Sequence, residues 1–317
     1  MILTINANAA IDHVLFVESL NPRGTIRASS AIDCIGGKGA DTALALARLG
    51  APHKLISFAA GAYGCMLEKL YKDNAIQYDL VWVEGETRMV TVIVEKESGR
   101  LTQLSHPGYS VSPVDCDRFL ATARQAMAGA SYCVAAGSLP AGAGTDFYQE
   151  VCSAAHNAGV PILIDSSGES LQSALSTGPE ILKLNRNEFQ STFGIWCGSY
   201  EDLACRARVV LKEHRVKWMM VTLGEDGMLA VSADKALLAR LPKVKPINPA
   251  GAGDAATAAL VYRLALNDSI EDALRWSCAA SAASVGTPVT ADFSLEEASA
   301  LISNVQLRAI EPACFDS

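Results

Sequence analysis

Positive charge is what this 317-residue sequence has least to spare, with 26 lysines and arginines against 34 acidic residues and a formal charge of −8. Nucleic-acid and anionic-membrane binders present basic surfaces, so neither partner is expected. None of its cysteines (34, 65, 116, 133, 152, 197, 205, 278 and 314) forms a C-x-x-C pair, which removes zinc-ribbon and thioredoxin readings. Their odd number and their scatter through apolar stretches fit reduced, buried thiols of a cytosolic protein. The histidines show no metal-ligand spacing. No apolar run approaches the ~18 residues of a membrane span. The first residues lack a basic region and read as a strand rather than a signal peptide, so a cytoplasmic location is expected. A Walker A loop is missing too. The lysine of Gly37-Lys38 is followed by Gly39, and Ile32 stands where the first glycine belongs. G-x-G-x-x-G is likewise absent.

What is present is alternation. Half the residues are apolar, enough for a substantial core. From Lys38 onward, short apolar runs alternate with amphipathic stretches. Helices are expected over Lys38 to Leu49, Tyr63 to Asn74, Pro113 to Ala128, Asp146 to Asn157 and Tyr200 to His214. Strands are expected over Leu55 to Ala59, Ser131 to Ala136, Val160 to Asp165, Ile181 to Leu184 and Lys217 to Thr222. Such alternation predicts βαβ units around a mostly parallel sheet, with ligands at the carboxyl ends of its strands. Two segments break the rhythm, at about 11–35 and 86–107. The first holds strand-like pieces (His13 to Val17, Ile26 to Asp33). The second is a hairpin turning at Glu97-Ser98-Gly99. Together they predict a small antiparallel β lid, built as excursions of a single domain spanning 1–317.

The sharpest motif is Asn248-Pro249-Ala250-Gly251-Ala252-Gly253-Asp254, just ahead of an alanine-rich helix. Glycines before a helix expose backbone N–H groups, and the helix dipole adds positive potential, so an anion can sit there. Asp254 at the same point can accept a proton from a hydroxyl held beside that anion. These are the two needs of phosphoryl transfer. An ordinary helix start capped by aspartate is the plainer alternative. Gly36-Gly37-Lys38-Gly39 opens the first clear helix and permits close approach of a ligand, or is a mere turn.

In order along nearly the whole chain, these motifs resemble those of the ribokinase-like (PfkB) carbohydrate kinases, specifically the phosphosugar kinase branch. The matching series is Asn8-Ala9-Ala10-Ile11-Asp12, Gly36-Gly37-Lys38-Gly39, Arg48-Leu49-Gly50 and Thr87-Arg88. It continues with Gly137-Ser138-Leu139-Pro140, Asp165-Ser166-Ser167-Gly168-Glu169 and Lys183-Leu184-Asn185-Arg186-Asn187-Glu188. Thr222-Leu223-Gly224-Glu225-Asp226-Gly227 and Gly251-Ala252-Gly253-Asp254 complete it. The resemblance implies a three-layer α/β/α sandwich with the β lid. It implies Asp254 as general base and Gly251, Ala252 and Gly253 as the anion hole. Asp12, Gly36, Gly37, Lys38 and Asp41 would hold the sugar. Asn185 and Glu188 would organise Mg2+, and their alternative is a solvent-facing helix start. Lys183, Asn185, Thr222, Gly224 and Gly227 would serve ATP; a monovalent cation such as K+ stays open. Arg27 and Arg88, on the lid segments, would grip a substrate phosphate with their planar forks, and Ser138 would add a hydroxyl. Surface arginines on lid strands are the plain alternative.

The departures bear on the substrate. The family's asparagine after G-G-K-G is here Asp41, which adds negative charge where a phosphosugar should sit. N-P-A-I-D has become Asn8-Ala9-Ala10-Ile11-Asp12, and K-P-N has become Lys183-Leu184-Asn185. The expected reaction is transfer of the ATP γ-phosphoryl to a ketohexose phosphate, of 1-phosphofructokinase or tagatose-6-phosphate kinase type. An aspartate at its ordinary pKa of ~3.9 suffices as base, because the hydroxyl becomes acidic only as the new bond forms. The alternatives are a kinase of an unphosphorylated sugar or nucleoside, and a non-catalytic sensor of sugar or nucleotide. Lid strands with open edges predict a homodimer through the lid.

Overall fold

The computed structural model describes residues 1–21 and 23–311. The chain begins with β1 (Ile2–Asn6), β2 (Ala10–Val17), β3 (Ser30–Gly36), α1 (Lys38–Arg48) and β4 (His53–Ala59). Then come α2 (Gly61–Asp73), β5 (Tyr78–Trp82) and the hairpin β6 (Arg88–Glu95) with β7 (Leu101–Leu104). The middle alternates α3 (Pro113–Met127), β8 (Tyr132–Ala136), α4 (Phe147–Asn157), β9 (Ile162–Asp165), α5 (Gly168–Leu175) and β10 (Ile181–Asn185). After α6 (Arg186–Phe193) and α7 (Tyr200–His214) follow β11 (Trp218–Thr222), β12 (Met228–Val231) and β13 (Ala236–Arg240). Last are α8 (Ala252–Ala265), α9 (Ile270–Ser284), α10 (Leu295–Leu301) and β14 (Gln306–Ala309).

Ten strands form the main sheet in the order β14-β13-β12-β11-β10-β9-β8-β1-β4-β5, parallel from β5 to β11 and antiparallel beyond. Both faces of the parallel part are covered, which is why its strands read as unbroken apolar runs. In β1 and β8, Leu3, Ile5, Cys133 and Ala135 pack toward α3, α4 and α7, whereas Ile2, Tyr132, Val134 and Ala136 pack toward α8 and α9. Alanines dominate the second layer: Ala255, Ala256, Ala258 and Ala259 of α8 meet Ala279, Ala280 and Ala283 of α9 in one buried cluster. Side chains this small let helix axes approach closely.

The lid is a separate four-stranded sheet, β3-β2-β6-β7. Its outer pairings, β2 with β3 and β6 with β7, are antiparallel; its central pairing, β2 with β6, is parallel. The two lid segments leave the main sheet separately and in the same direction, so where they meet they run side by side. Pleating splits the lid residues. Ile11, Ile35 and Met89 pack on α1 and α2, while Ala10, Val14, Val90 and Val92 line the opposite face with Asp12 and Arg88 at one end. The strand expected from Ile26 starts only at Ser30, leaving residues 25–29 as connection.

Among the described residues no helix is long and apolar enough to cross a membrane. Cys34, Cys65, Cys116, Cys133, Cys152, Cys197 and Cys278 are free thiols, and Cys314 lies outside the described residues.

Candidate active site

Strand order reverses at β1, whose neighbours are β4 on one side and β8 on the other. At such a switch point the connections diverge and leave a crevice beyond the carboxyl ends of the strands. Two cavities lie along this end of the sheet. One, of about 540 Å³, is lined by Asn8 after β1, Gly137 and Ser138 after β8, Ser166 after β9 and Glu188 after β10, and the lid's Asp12 and Arg88 close it. The other, of about 880 Å³, lies beside Asn185, Thr222, Gly224, Gly227, Arg240 and Lys243. Each is the size of a small-molecule site.

The first turn of α8 is the wall between them. Ala250, Gly251 and Asp254 face the smaller cavity, Ala252 and Gly253 the larger, and Pro249 touches both. Its geometry is held by the buried Asn248, whose Oδ1 accepts the Ala250 N–H at 3.0 Å and whose Nδ2 donates to the Pro288 carbonyl. Gly251 caps the helix at φ 74°, and a Cβ there would approach the Ala291 nitrogen to 2.5 Å and the Thr290 methyl to 2.7 Å. Only glycine suits such a position. The Ala252 N–H reaches Pro249 O at 3.5 Å, the limit of a hydrogen bond, so the turn retains donor capacity for an anion.

Beneath this turn lies a charge hub. Asp165, fully buried at the end of β9, pairs with Lys183 on one oxygen and with Lys38 at 2.9 Å on the other. Burial alone would raise its pKa, but the two lysines outweigh that and hold it near 2. Lys38 also binds Glu188 at 3.0 Å. Burial opposes its charge, yet Asp165, Glu188 and Asp254 raise its pKa well above the ordinary lysine value. Asp254 stands beside the hub. Burial, with Asp165 next, pushes its pKa up to about 7 against the opposing pull of Lys183 and Lys38. The hub's two cations are shared among several acids, so they do not offset the desolvation of Asp254.

In the smaller cavity, Asp12 is buried against Gly36, where any Cβ would collide with its carboxylate. Burial lifts the Asp12 pKa to about 7, with Arg88 and Thr290 pulling the other way. Arg88 donates to Asn8 O at 3.2 Å and to Ser105 Oγ at 3.1 Å, while its buried Nε has no partner among the described residues. Asn8 in turn donates to Ser138 Oγ at 3.0 Å. Arg27 is not part of this cavity; it is exposed in the connection ahead of β3. The strand there starts later than its sequence pattern suggests, so nothing carries Arg27 inward.

Asn185 and Glu188 cap α6 reciprocally. The Asn185 side chain accepts the Glu188 N–H at 2.8 Å, and Glu188 Oε2 accepts the Asn185 N–H at 2.8 Å. No cluster of three or more His, Cys, Asp or Glu among the described residues is arranged to hold a metal ion alone. One carboxylate and one amide between the two cavities fit Mg2+ that arrives with a polyphosphate and keeps several waters.

The pfkB family carbohydrate kinase model matches residues 4–298. The chain belongs to that family. It is accordingly an ATP-dependent carbohydrate kinase. It is similar to the 1-phosphofructokinase of Xanthomonas campestris pv. campestris, 29% identical over 273 residues that cover 85% of each chain. It is also similar to the ATP-dependent 6-phosphofructokinase isozyme 2 of Escherichia coli, 28% identical over 283 residues, 89% of this chain and 91% of that one. The crystal structure of Escherichia coli phosphofructokinase-2 in complex with substrates and products superposes with a TM-score of 0.88 at 27% identity, over 96% of this chain and 98% of that one.

Set against this pfkB fold, the sequence motifs converge. Gly37, Lys38, Asp41 and Ser138 line the smaller cavity with Asp12, Arg88 and Asp254, and Lys183 lies under Gly253. Sequence reasoning assigned no role to Asp165, Asn8 or Thr290. Asp165 carries a signal, an acid ending an apolar run at the ligand-binding end of a strand; Thr290, from the loop after α9, carries none.

Proposed function

We propose that this pfkB kinase transfers the γ-phosphoryl group of ATP to a hydroxyl of a ketohexose phosphate, with Asp254 as the base. The observation that carries the reading is the placement of the α8 first turn between two cavities: Asp254 lines one, and Ala252 and Gly253 line the other. The acceptor hydroxyl would lie in the smaller cavity beside Asp254, and the triphosphate would extend from the larger cavity to the N–H groups of residues 251–253. As the oxygen bonds to phosphorus, its proton passes to Asp254, while backbone donors and Lys183 face the charge on the transferred group. Asn185 and Glu188 would hold the waters of Mg2+, which when bound neutralises phosphate charge. Closure of the lid over the acceptor would exclude water and suppress ATP hydrolysis.

Arg88 supports a phosphorylated acceptor, because it lines the smaller cavity, where its guanidinium can face an anion. Arg27 would join it only if the connection ahead of β3 folds inward. Fructose 1-phosphate is the first candidate acceptor, tagatose 6-phosphate the second, and fructose 6-phosphate belongs beside them on the relatives' names. An ATP-fed reaction belongs in the cytoplasm, which cell fractionation checks.

The test is ADP release with Mg-ATP against these three sugars, free fructose, ribose and adenosine. Asp254→Ala should lower turnover by about 10²- to 10⁴-fold, and an unaffected variant would exclude its role as base. Arg88→Glu should raise KM for a phosphosugar at least tenfold while Arg27→Glu changes it little. Turnover of free sugars or adenosine alone, insensitive to Arg88→Glu, would replace this reading with that of a kinase for unphosphorylated acceptors.

A further inference from the structure

Asp41 lies in the first turn of α1, 4% exposed, and it lines the acceptor cavity with Asp12 and Asp254. Its Oδ1 is buried without a hydrogen-bond partner. No ion pair reaches it among the described residues, because the nearby cations are committed elsewhere. Lys38 lies between Asp165 and Glu188, Lys183 holds Asp165, and Arg88 donates to Asn8 and Ser105. The titratable groups that face it are acids or neutral donors: Asp12 from β2, Asp254 from α8, Cys34 from β3 and Tyr71 from α2. Two carboxylates as neighbours and no counter-ion make an anion there costly.

We propose that Asp41 positions the acceptor sugar as a neutral carboxylic acid, its O–H donating one hydrogen bond and its C=O accepting another. In that form it offers the donor and acceptor pair of an asparagine amide and no charge. Burial first, then the charges of Asp12 and Asp254, raise its pKa well above the ordinary aspartate value, in agreement with the geometry. A neutral Asp41 also removes the conflict between an acid at this point and a phosphorylated substrate. The inference rests on the proposed phosphosugar reaction for its substrate, but not for the protonation state of the free protein.

Two measurements test it. Asp41→Ala should raise KM for fructose 1-phosphate or fructose 6-phosphate at least tenfold, and Asp41→Asn should rescue most of that loss. An Asn variant no better than Ala, or an Ala variant without effect, overturns the proposal: the first means that the sugar needs the negative charge, the second that it does not touch Asp41. The second measurement needs no substrate. An acid kept neutral by the fold but ionised when unfolded costs stability as pH rises above its unfolded pKa of about 3.9. The thermal midpoint of Asp41→Asn minus that of wild type should therefore widen by several degrees between pH 5 and pH 8. A constant difference means an ionised Asp41 and overturns the proposal. If neither fructose phosphate is turned over, the phosphosugar reading fails while the thermal comparison still decides the state of Asp41.

Discussion

The proposed base Asp254 would work only when ionised, so its elevated pKa sets the expected pH response. Burial and Asp165 raise it to about 7, which leaves the carboxyl protonated below that pH. At saturating ATP, kcat/KM should fall about tenfold per pH unit below pH 7 and level off above it. A profile flat down to pH 5 would show that Asp254 titrates as an ordinary aspartate in the ATP-bound enzyme. The same shift bears on stability. Groups with raised pKa values, Asp12 and Asp254 here, stabilise the fold fully below about 3.8 and lose that contribution as pH rises through about 7. Asp165 behaves oppositely, since its depressed pKa contributes stability above about 3.8 that is lost as pH falls toward 2. Asp254→Asn should therefore flatten the decline in thermal midpoint between pH 5 and pH 8. Scanning calorimetry of the ligand-free enzyme reads this slope, and an unchanged slope would place the proton on another acid of the cluster.

At the scale of elements, the start of α8 shows how one backbone angle controls a site. Gly251 needs φ 74° and has Thr290 and Ala291 against its α-carbon. Gly251→Ala faces both strain at positive φ, about 1–3 kcal/mol, and a collision that shifts the helix start. The expected result is a folded protein with a lower thermal midpoint and a kcat reduced at least tenfold. Normal turnover in a destabilised variant would show that the site tolerates movement of this turn. Much of this element is legible in the sequence, because glycines before an alanine-rich stretch mark a helix start without tertiary help. The lid is legible differently. Period-2 patterning predicts that Asp12 shares a face with Ala10 and Val14, but only strand pairing sets Ala10 opposite Arg88 and so brings that arginine to the cavity. Arg27 lies on no strand, and its pattern alone suggested otherwise.

For the whole molecule, the open edges of the lid are β3 and β7, and β7 ends on the exposed Leu104. A second copy adding its lid there would pair unsatisfied backbone groups. Sedimentation at micromolar concentration should show a species of twice the 33.4 kDa chain mass, and Leu104→Lys should shift it toward monomer. A monomer at all concentrations would leave the edges to be closed by the lid's own motion.

The sequence by itself determined the alternating architecture and the helix starts, along with the glycine motifs at strand ends, because these follow from local periodicity and turn chemistry. It also marked Asp254, since the helix that presents the residue begins beside it. Only the tertiary structure decided which charges meet. Asp165, Lys38 and the Lys183–Glu188 motif come from three separate stretches of chain, and the parallel sheet brings their ends to one edge. The raised pKa values of Asp12, Asp41 and Asp254 follow first from burial, and burial is a property of packing, which no single segment encodes.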